Sequence, residues 1–324
     1  MFDKVEFYRV DIALLRSLGH EVVIAGSPST LDRHADLYYC WWWGHAPAAI
    51  AIGKLRRKPV IVTGAFDYST CRVELPGICY LDRPAWQKAI LRTVLRYADR
   101  NLFISQAEFK EVTTALTVNN PICAPLAVDT DVYRPGPAIK NPNFFFSVAW
   151  SSATNSIRKG LPQTIKAFAQ IANRYPDTRL TLAGKHGDHC DMLRSLAQTL
   201  GVGDRVDFPG MISDLEKIEA YRSCIAYVQP TLYEGFGHAI AEAVSCGAHV
   251  VSSARGAVPE VAGAYATCVD PHNIDAIATA MATCIDEPRT SADMVAAHAW
   301  IVGQYSMARR AAVLKNIIGE ATRN

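Results

Sequence analysis

The sequence predicts an α/β protein of two domains, each a sheet of buried strands covered by helices. Three observations carry that expectation. Short apolar runs of strand length alternate with longer stretches of helical period along most of the chain, the pattern of βα units. At 324 residues, half of them hydrophobic, the chain is long enough to bury two cores. Pro135, Gly136, Pro137 and Pro142 punctuate its middle as a linker would. The expected division is therefore 1–137, 138–290, and a helical tail over 291–324.

Composition excludes several functions. A net charge of +2 with the signs mixed gives no basic patch to track phosphates, so no nucleic-acid partner is expected. Nine cysteines, odd in number and scattered through apolar stretches, fit reduced thiols in a cytoplasmic protein. No apolar run is long enough to span a bilayer, and the N-terminus lacks a basic region followed by an apolar signal core. Any membrane contact is expected to be peripheral, at the inner face.

In the first half, residues 4–18 read as a helix with Val10, Leu14, Leu15 and Leu18 on one side, and residues 20–25 as a strand. Residues 36–40 form another strand candidate running into Trp41, Trp42 and Trp43, which either line a sugar or acceptor site or pack beneath a loop. Arg56, Arg57 and Lys58 fall at a helix end, where the dipole alone explains them. The strand 60–63 leads to the corner Gly64, Ala65, Phe66 and Asp67; Asp67 either caps this loop or holds a ligand hydroxyl. The helix 84–97 has Ile90, Leu91, Val94 and Leu95 on one side and Lys88, Arg92 and Arg96 spaced four apart. Such a stripe is more often a solvated face than a surface resting on anionic lipid, and both readings stand.

The second half opens with a strand over 144–149, a loop over 151–156, and Arg158, Lys159 and Gly160 before a helix over 163–175. Two cations ahead of a helix that starts beside a strand end suit a diphosphate. Strand 180–184 is followed by KHGDHCD, whose His and Asp spacing is too compressed for a familiar zinc site, so no metal is expected. Further strands are expected over 206–211, 224–229 and 248–253, and helices over 274–285 and 297–321, the last with Trp300 and Tyr305 as anchors back onto the first domain.

The stretch 224–253 organises the rest. A buried strand ends at Pro230, and Gly235 and Gly237 flank Phe236 ahead of a helix over 239–244. The backbone N–H groups at such a helix start form an anion site. Glu234 lies just before that helix and Glu242 inside it. Carboxylates at these positions accept sugar hydroxyls, although as an isolated pair they would read as a helix-start charge and a solvated helix residue.

TLYEGFGHAIAEAVSCGAHVVSSARGAVPEVAG resembles the donor signature of the retaining nucleotide-sugar glycosyltransferases of family 4, whose GT-B fold is two facing Rossmann-like domains. The resemblance is strongest over 144–285. It implies that Glu234 contacts donor sugar hydroxyls, that Glu242 contacts the ribose, and that Gly235, Phe236 and Gly237 present backbone to the donor. His238 and His249 replace the usual Leu and Pro; the first stands beside the donor loop and the second fills space. Lys159 and Gly160 match the family's Lys-Gly, whereas Trp150 stands where its Arg belongs, leaving Arg158 as the substitute. Gly184 and the loop after it would face the donor, and the turn ending at Met211 would meet the base.

Two family features are missing. The first strand and its glycine loop do not precede the helix 4–18, and the cleft histidine is absent, which leaves Asp67 as the first domain's site candidate. A strand of a doubly wound sheet belongs in that central gap, so either coding sequence upstream of Met1 or another segment is expected to fill it. The implied activity is metal-independent transfer, without a cofactor, from a nucleoside-diphosphate sugar to a glycan or lipid-linked acceptor. A nucleotide-sugar epimerase and a non-catalytic donor-binding subunit remain as alternatives.

Overall fold

A computed structural model describes residues 5–69, 74–136 and 142–323; Met1, Cys71 and the expected boundary at 137/138 lie outside the described residues. The chain divides into two compact units. The first takes most of the chain to Ala127 together with the segment from Tyr305 onward, and the second runs from Val128 to Gln304.

In the first unit, α1 (Glu6–Ser17), β1 (Tyr38–Trp41), α2 (Pro47–Arg56), β2 (Val60–Gly64), α3 (Ala85–Tyr97), β3 (Arg100–Phe103), α4 (Gln106–Ala115) and β4 (Pro121–Cys123) follow in order. All four strands are parallel and lie in the order β1-β2-β3-β4. β2 is buried along its whole length because both its faces are covered. Val60 and Val62 join the core formed with α2 and α3, while Ile61 joins a second core with Val10, Leu14 and Leu15 of α1.

The strand expected over residues 20–25 is not formed. This segment is without regular structure, and Val23 is 61% exposed. β-branched residues favour extended backbone, but a strand exists only where a neighbour accepts its backbone hydrogen bonds. Among the described residues β1 is an edge strand, and residues 21–25 do not pair along it.

The second unit contains β5 (Phe144–Val148), α5 (Ala153–Arg158), α6 (Leu161–Ala172), β6 (Arg179–Ala183), α7 (Cys190–Thr199), β7 (Val206–Gly210), α8 (Asp214–Ser223), β8 (Tyr227–Val228), α9 (His238–Ser245), β9 (Val250–Ser252), α10 (Val258–Ala262), β10 (Ala266–Cys268), α11 (Ile274–Asp286) and α12 (Ser291–Tyr305). Its parallel sheet has the order β10-β9-β8-β5-β6-β7. Chain order therefore reverses between β5 and β8, and that reversal is the place where a doubly wound sheet opens a crevice at the carboxyl ends of its strands.

Two expectations are corrected here. The loop over 151–156 contains α5, started by the Ser152 side chain accepting from the Asn155 N–H and by Asp188 accepting from the Ala153 N–H. Of the two expected anchors, Trp300 belongs to the second unit, where its indole donates to the Val261 carbonyl at 2.9 Å, whereas Tyr305, the last residue of α12, groups with the first. The segment that joins the first unit is α13 (Met307–Ala321). Its Leu314, Ile317 and Ile318 pack with α1, and its buried Arg310 donates to both carboxylate oxygens of Asp11, at 2.5 and 2.8 Å.

Candidate active site

The strands at the point of reversal deliver two loops to one place. After β5 the chain passes through α5 to Arg158, Lys159 and Gly160, and after β8 it passes Gln229 and Thr231 to reach Glu234. Gly160 has φ +72°, and a Cβ there would stand 2.3 Å from the Pro230 carbonyl oxygen, so only glycine lets the loops approach this closely. Thr231 donates to the Arg158 carbonyl at 2.8 Å and the Leu232 N–H to the same oxygen at 2.7 Å, which locks the contact.

Glu234 is the hub. It is 6% exposed, and Lys159 Nζ lies 2.7 Å and Arg158 Nη1 3.3 Å from its Oε1. Gln229 donates to that oxygen at 2.8 Å while its own Oε1 accepts from the Tyr227 hydroxyl at 2.5 Å and from Lys159 at 3.3 Å. Burial by itself would raise the Glu234 carboxyl; the Lys159 and Arg158 cations outweigh it and hold the acid below its ordinary value. Burial depresses the Lys159 ammonium, against the opposing pull of Glu234. The two cations expected to stand open for a diphosphate therefore neutralise the neighbouring acid, as charges removed from water must.

α9 begins directly after this hub. Gly237 holds φ +88° in the left-handed region at the helix start, and Phe236 is buried beneath the turn. The first-turn N–H groups of this eight-residue helix are free of intrahelical partners and face the loop that follows β8. Inside α9, Glu242 is 3% exposed, which rules out a solvated helix position. It is gripped by α8: Lys217 Nζ lies 3.1 Å from its Oε2, and the Tyr221 hydroxyl donates to the same oxygen at 3.0 Å. His238 Nδ1 is 3.9 Å from Oε1. His249 is away from this group, partly buried, and burial lowers its imidazole to about 4.

The remaining candidates of this unit lie at the ends of neighbouring strands. Gly184 follows β6 with its α-carbon against the Ala149 carbonyl. Met211 follows β7 and is largely exposed, as is the adjacent Leu215. Trp150 is half exposed, with the Lys185 ammonium 5.1 Å from its ring centroid. In the loop KHGDHCD, Asp188 is occupied in capping α5. Among the described residues no group of three His, Cys, Asp or Glu side chains is disposed to hold a metal ion.

The first unit has its own concavity, at the carboxyl ends of β1 and β2. A cavity of about 420 Å3 is lined by Trp42, Asp67, Tyr80, Arg83 and Trp86 among others. Trp42 holds φ +72°, an uncommon conformation for a bulky residue, and donates from its indole to the Tyr8 hydroxyl. Trp42 and Trp43 both border the cavity; Trp43 is also core, stacked on Phe103 and bonded to Asn101, while Trp41 packs against Phe7 and Tyr8. On α3, Trp86 is 63% exposed, Arg92 donates to the Tyr80 hydroxyl, and Lys88 to the Leu81 carbonyl. Two of the three basic residues of the stripe are therefore also tied to the protein.

Gln229 and Thr231 contact Glu234, and Lys217 and Tyr221 contact Glu242; the sequence pattern does not single these four out. Only the spacing of Lys217 and Tyr221, one turn apart on a helix, held a usable signal.

Comparison with known proteins places these residues in context. Residues 134–299 match the family described as Glycosyl transferases group 1. Over 321 residues the chain is 31% identical to the GDP-mannose-dependent alpha-(1-6)-phosphatidylinositol monomannoside mannosyltransferase of Mycolicibacterium smegmatis, covering 92% of this chain and 80% of that protein. It is 31% identical over 142 residues to O-antigen chain mannosyltransferase B of Escherichia coli, a match spanning 41% of this chain and 36% of the other. Among solved structures, sucrose-phosphate synthase of Thermosynechococcus elongatus superposes with a TM-score of 0.71 over 98% of this chain and 78% of its own, at 19% identity. HepE of Anabaena in complex with UDP-glucose gives 0.73 over 96% and 82%, at 18% identity.

Proposed function

Because this chain belongs to the group 1 glycosyl transferases, we propose that it moves a sugar from a nucleoside diphosphate to an acceptor hydroxyl, with retention of configuration, as a family 4 enzyme. Its two parallel-sheet units have the GT-B fold. The observation that carries the reading is the convergence of Lys159, Arg158 and Glu234 at the start of α9.

Cleaving the bond from the sugar to phosphate puts negative charge on the departing diphosphate. Lys159, Arg158 and the N–H groups of α9 stabilise that charge. A bound diphosphate competes with Glu234 for both cations. Glu234 is thereby freed to accept hydroxyls of the donor sugar, and Glu242 accepts those of the ribose. Gly184 and Met211 border the nucleotide. No metal or cofactor has a part in this scheme.

On the acceptor side, Asp67 and the aromatic cavity of the first unit suit a sugar: indole faces pack against its C–H bonds and a carboxylate takes its hydroxyl. A lipid-linked or other glycan acceptor fits the phosphatidylinositol monomannoside that the mycolicibacterial relative mannosylates. Exposed Trp86 with Arg83 and Arg96 would let α3 rest on anionic lipid at the cytoplasmic face.

The test begins with thermal shift across nucleoside-diphosphate sugars, GDP-mannose included, because a ligand of the folded state raises its melting temperature. Release of nucleoside diphosphate is then followed with and without glycan and glycolipid acceptors. Acceptor-dependent release is expected, with the product's anomeric configuration matching the donor's by NMR. Interconversion of sugars without an acceptor would identify an epimerase, and binding without turnover a donor-binding subunit; either sinks the proposal.

A further inference from the structure

We infer that Lys217 is a positioning residue of the donor site: it holds the Glu242 carboxylate in place and aimed at a vicinal diol, the ribose of a nucleoside diphosphate. The inference rests on the donor reading above and goes beyond it, since Lys217 lies on a different helix from every residue that reading uses.

The geometry is specific. Lys217 Nζ stands 3.1 Å from Glu242 Oε2 and 3.2 Å from Oε1, so one ammonium spans both oxygens. Tyr221, one turn later on α8, donates its hydroxyl to Oε2 at 3.0 Å. The Lys217 ammonium also sits 5.0 Å from the centroid of the buried Tyr133 ring. Tyr133 is itself fixed, because Ser245 of α9 donates to its carbonyl at 2.5 Å. Lys217 is thus held from two sides, with its side chain 17% exposed against 4% for that of Glu242.

Stability does not explain the arrangement. Two charges withdrawn from water between packed helices stabilise a fold no better than well-packed apolar residues of the same size. An ionised carboxylate offers about four acceptor sites, and Lys217 and Tyr221 approach it from the α8 side alone. The other groups that face or sense this charge are His238 on its own helix at 3.9 Å, Asp214 at 3.9 Å from Lys217, and the side chains of Lys159, Tyr227 and Cys246. A neutral side chain in place of Lys217 removes the ammonium that spans both Glu242 oxygens, so the carboxylate is no longer fixed toward a diol.

Calorimetric titration with GDP and UDP and with their 2′-deoxy and 3′-deoxy counterparts tests this. The wild type is expected to favour the ribonucleotide by about tenfold or more, the worth of a hydrogen bond to a charged group. Lys217→Met should lose most of that preference, and Lys217→Arg should retain it. A folded Lys217→Met with the wild-type ratio overturns the inference. Should that variant not fold, Lys217→Gln keeps a donor without the charge, and an unchanged ratio there overturns it equally. A wild type that binds neither GDP nor UDP is a different result, the failure of the donor reading itself.

Discussion

Replacing Lys159 with methionine separates the catalytic from the structural use of its charge. The ammonium lies 2.7 Å from Glu234 Oε1, with the side chains 14% and 8% exposed. Breaking a fully buried pair costs about 3–5 kcal/mol. Here Arg158 stays within 3.3 Å of the same oxygen, so a smaller loss, about 1–3 kcal/mol, is expected at pH 8. The sign of its pH dependence follows from the wild type. Glu234 is held below its ordinary value, so its stabilising contribution is complete above the ordinary carboxyl range and is lost only as the pH falls through the depressed value. In Lys159→Met the balance shifts toward burial and the carboxyl rises. The folded variant then binds its proton more readily than the folded wild type, and protonation removes the charge that Lys159 no longer meets. The stability gap to wild type should therefore narrow from pH 8 to pH 5. Denaturant melts at both pH values measure it, alongside nucleoside-diphosphate release, which should fall by roughly a hundredfold to a thousandfold. A gap that stays constant or widens at pH 5 would refute the electrostatic argument, and near-normal release from a folded variant would remove Lys159 from the mechanism.

Glu234→Gln should impair sugar use more than nucleotide binding, whereas Glu242→Ala should weaken binding of the bare nucleoside diphosphate; equal calorimetric losses for both would contradict the division of roles. Arg310→Met should destabilise the protein by about 3–5 kcal/mol by stranding Asp11, and adding Asp11→Leu should restore most of it in denaturant melts; a double variant no better than the single would show that the Arg310 bonds to the Ala124 and Pro125 carbonyls matter more. If Lys159 and Arg158 neutralise the leaving group as proposed, turnover should survive excess EDTA, and abolition reversed by added magnesium would count against a metal-independent mechanism.

Local sequence determined a good deal of this protein. The alternation of apolar runs with helical segments determined the class, since burial on both faces of a strand requires continuous apolar residues. The placement of glycine, glutamate and helix start in 234–242 located the turn that opens α9, because backbone turns and helix starts are set by neighbours in the chain. Short-range chemistry also located Lys159-Gly160 ahead of α6.

Partnership across the fold was decided by tertiary structure alone. Residues 20–25 have a strand's composition and no strand's neighbour, so they remain unpaired. Trp42 and Trp43 are identical in sequence terms and both border the cavity; only folding buries Trp43 in the core and turns Trp42 through φ +72°. Trp300 was assigned to the wrong unit because an aromatic residue on an amphipathic helix shows that it will be buried and not against what. The same limit hid Lys217 from view: its partner lies 25 residues away on another helix, and a charge on a helix face reads as solvated until folding brings a buried carboxylate against it.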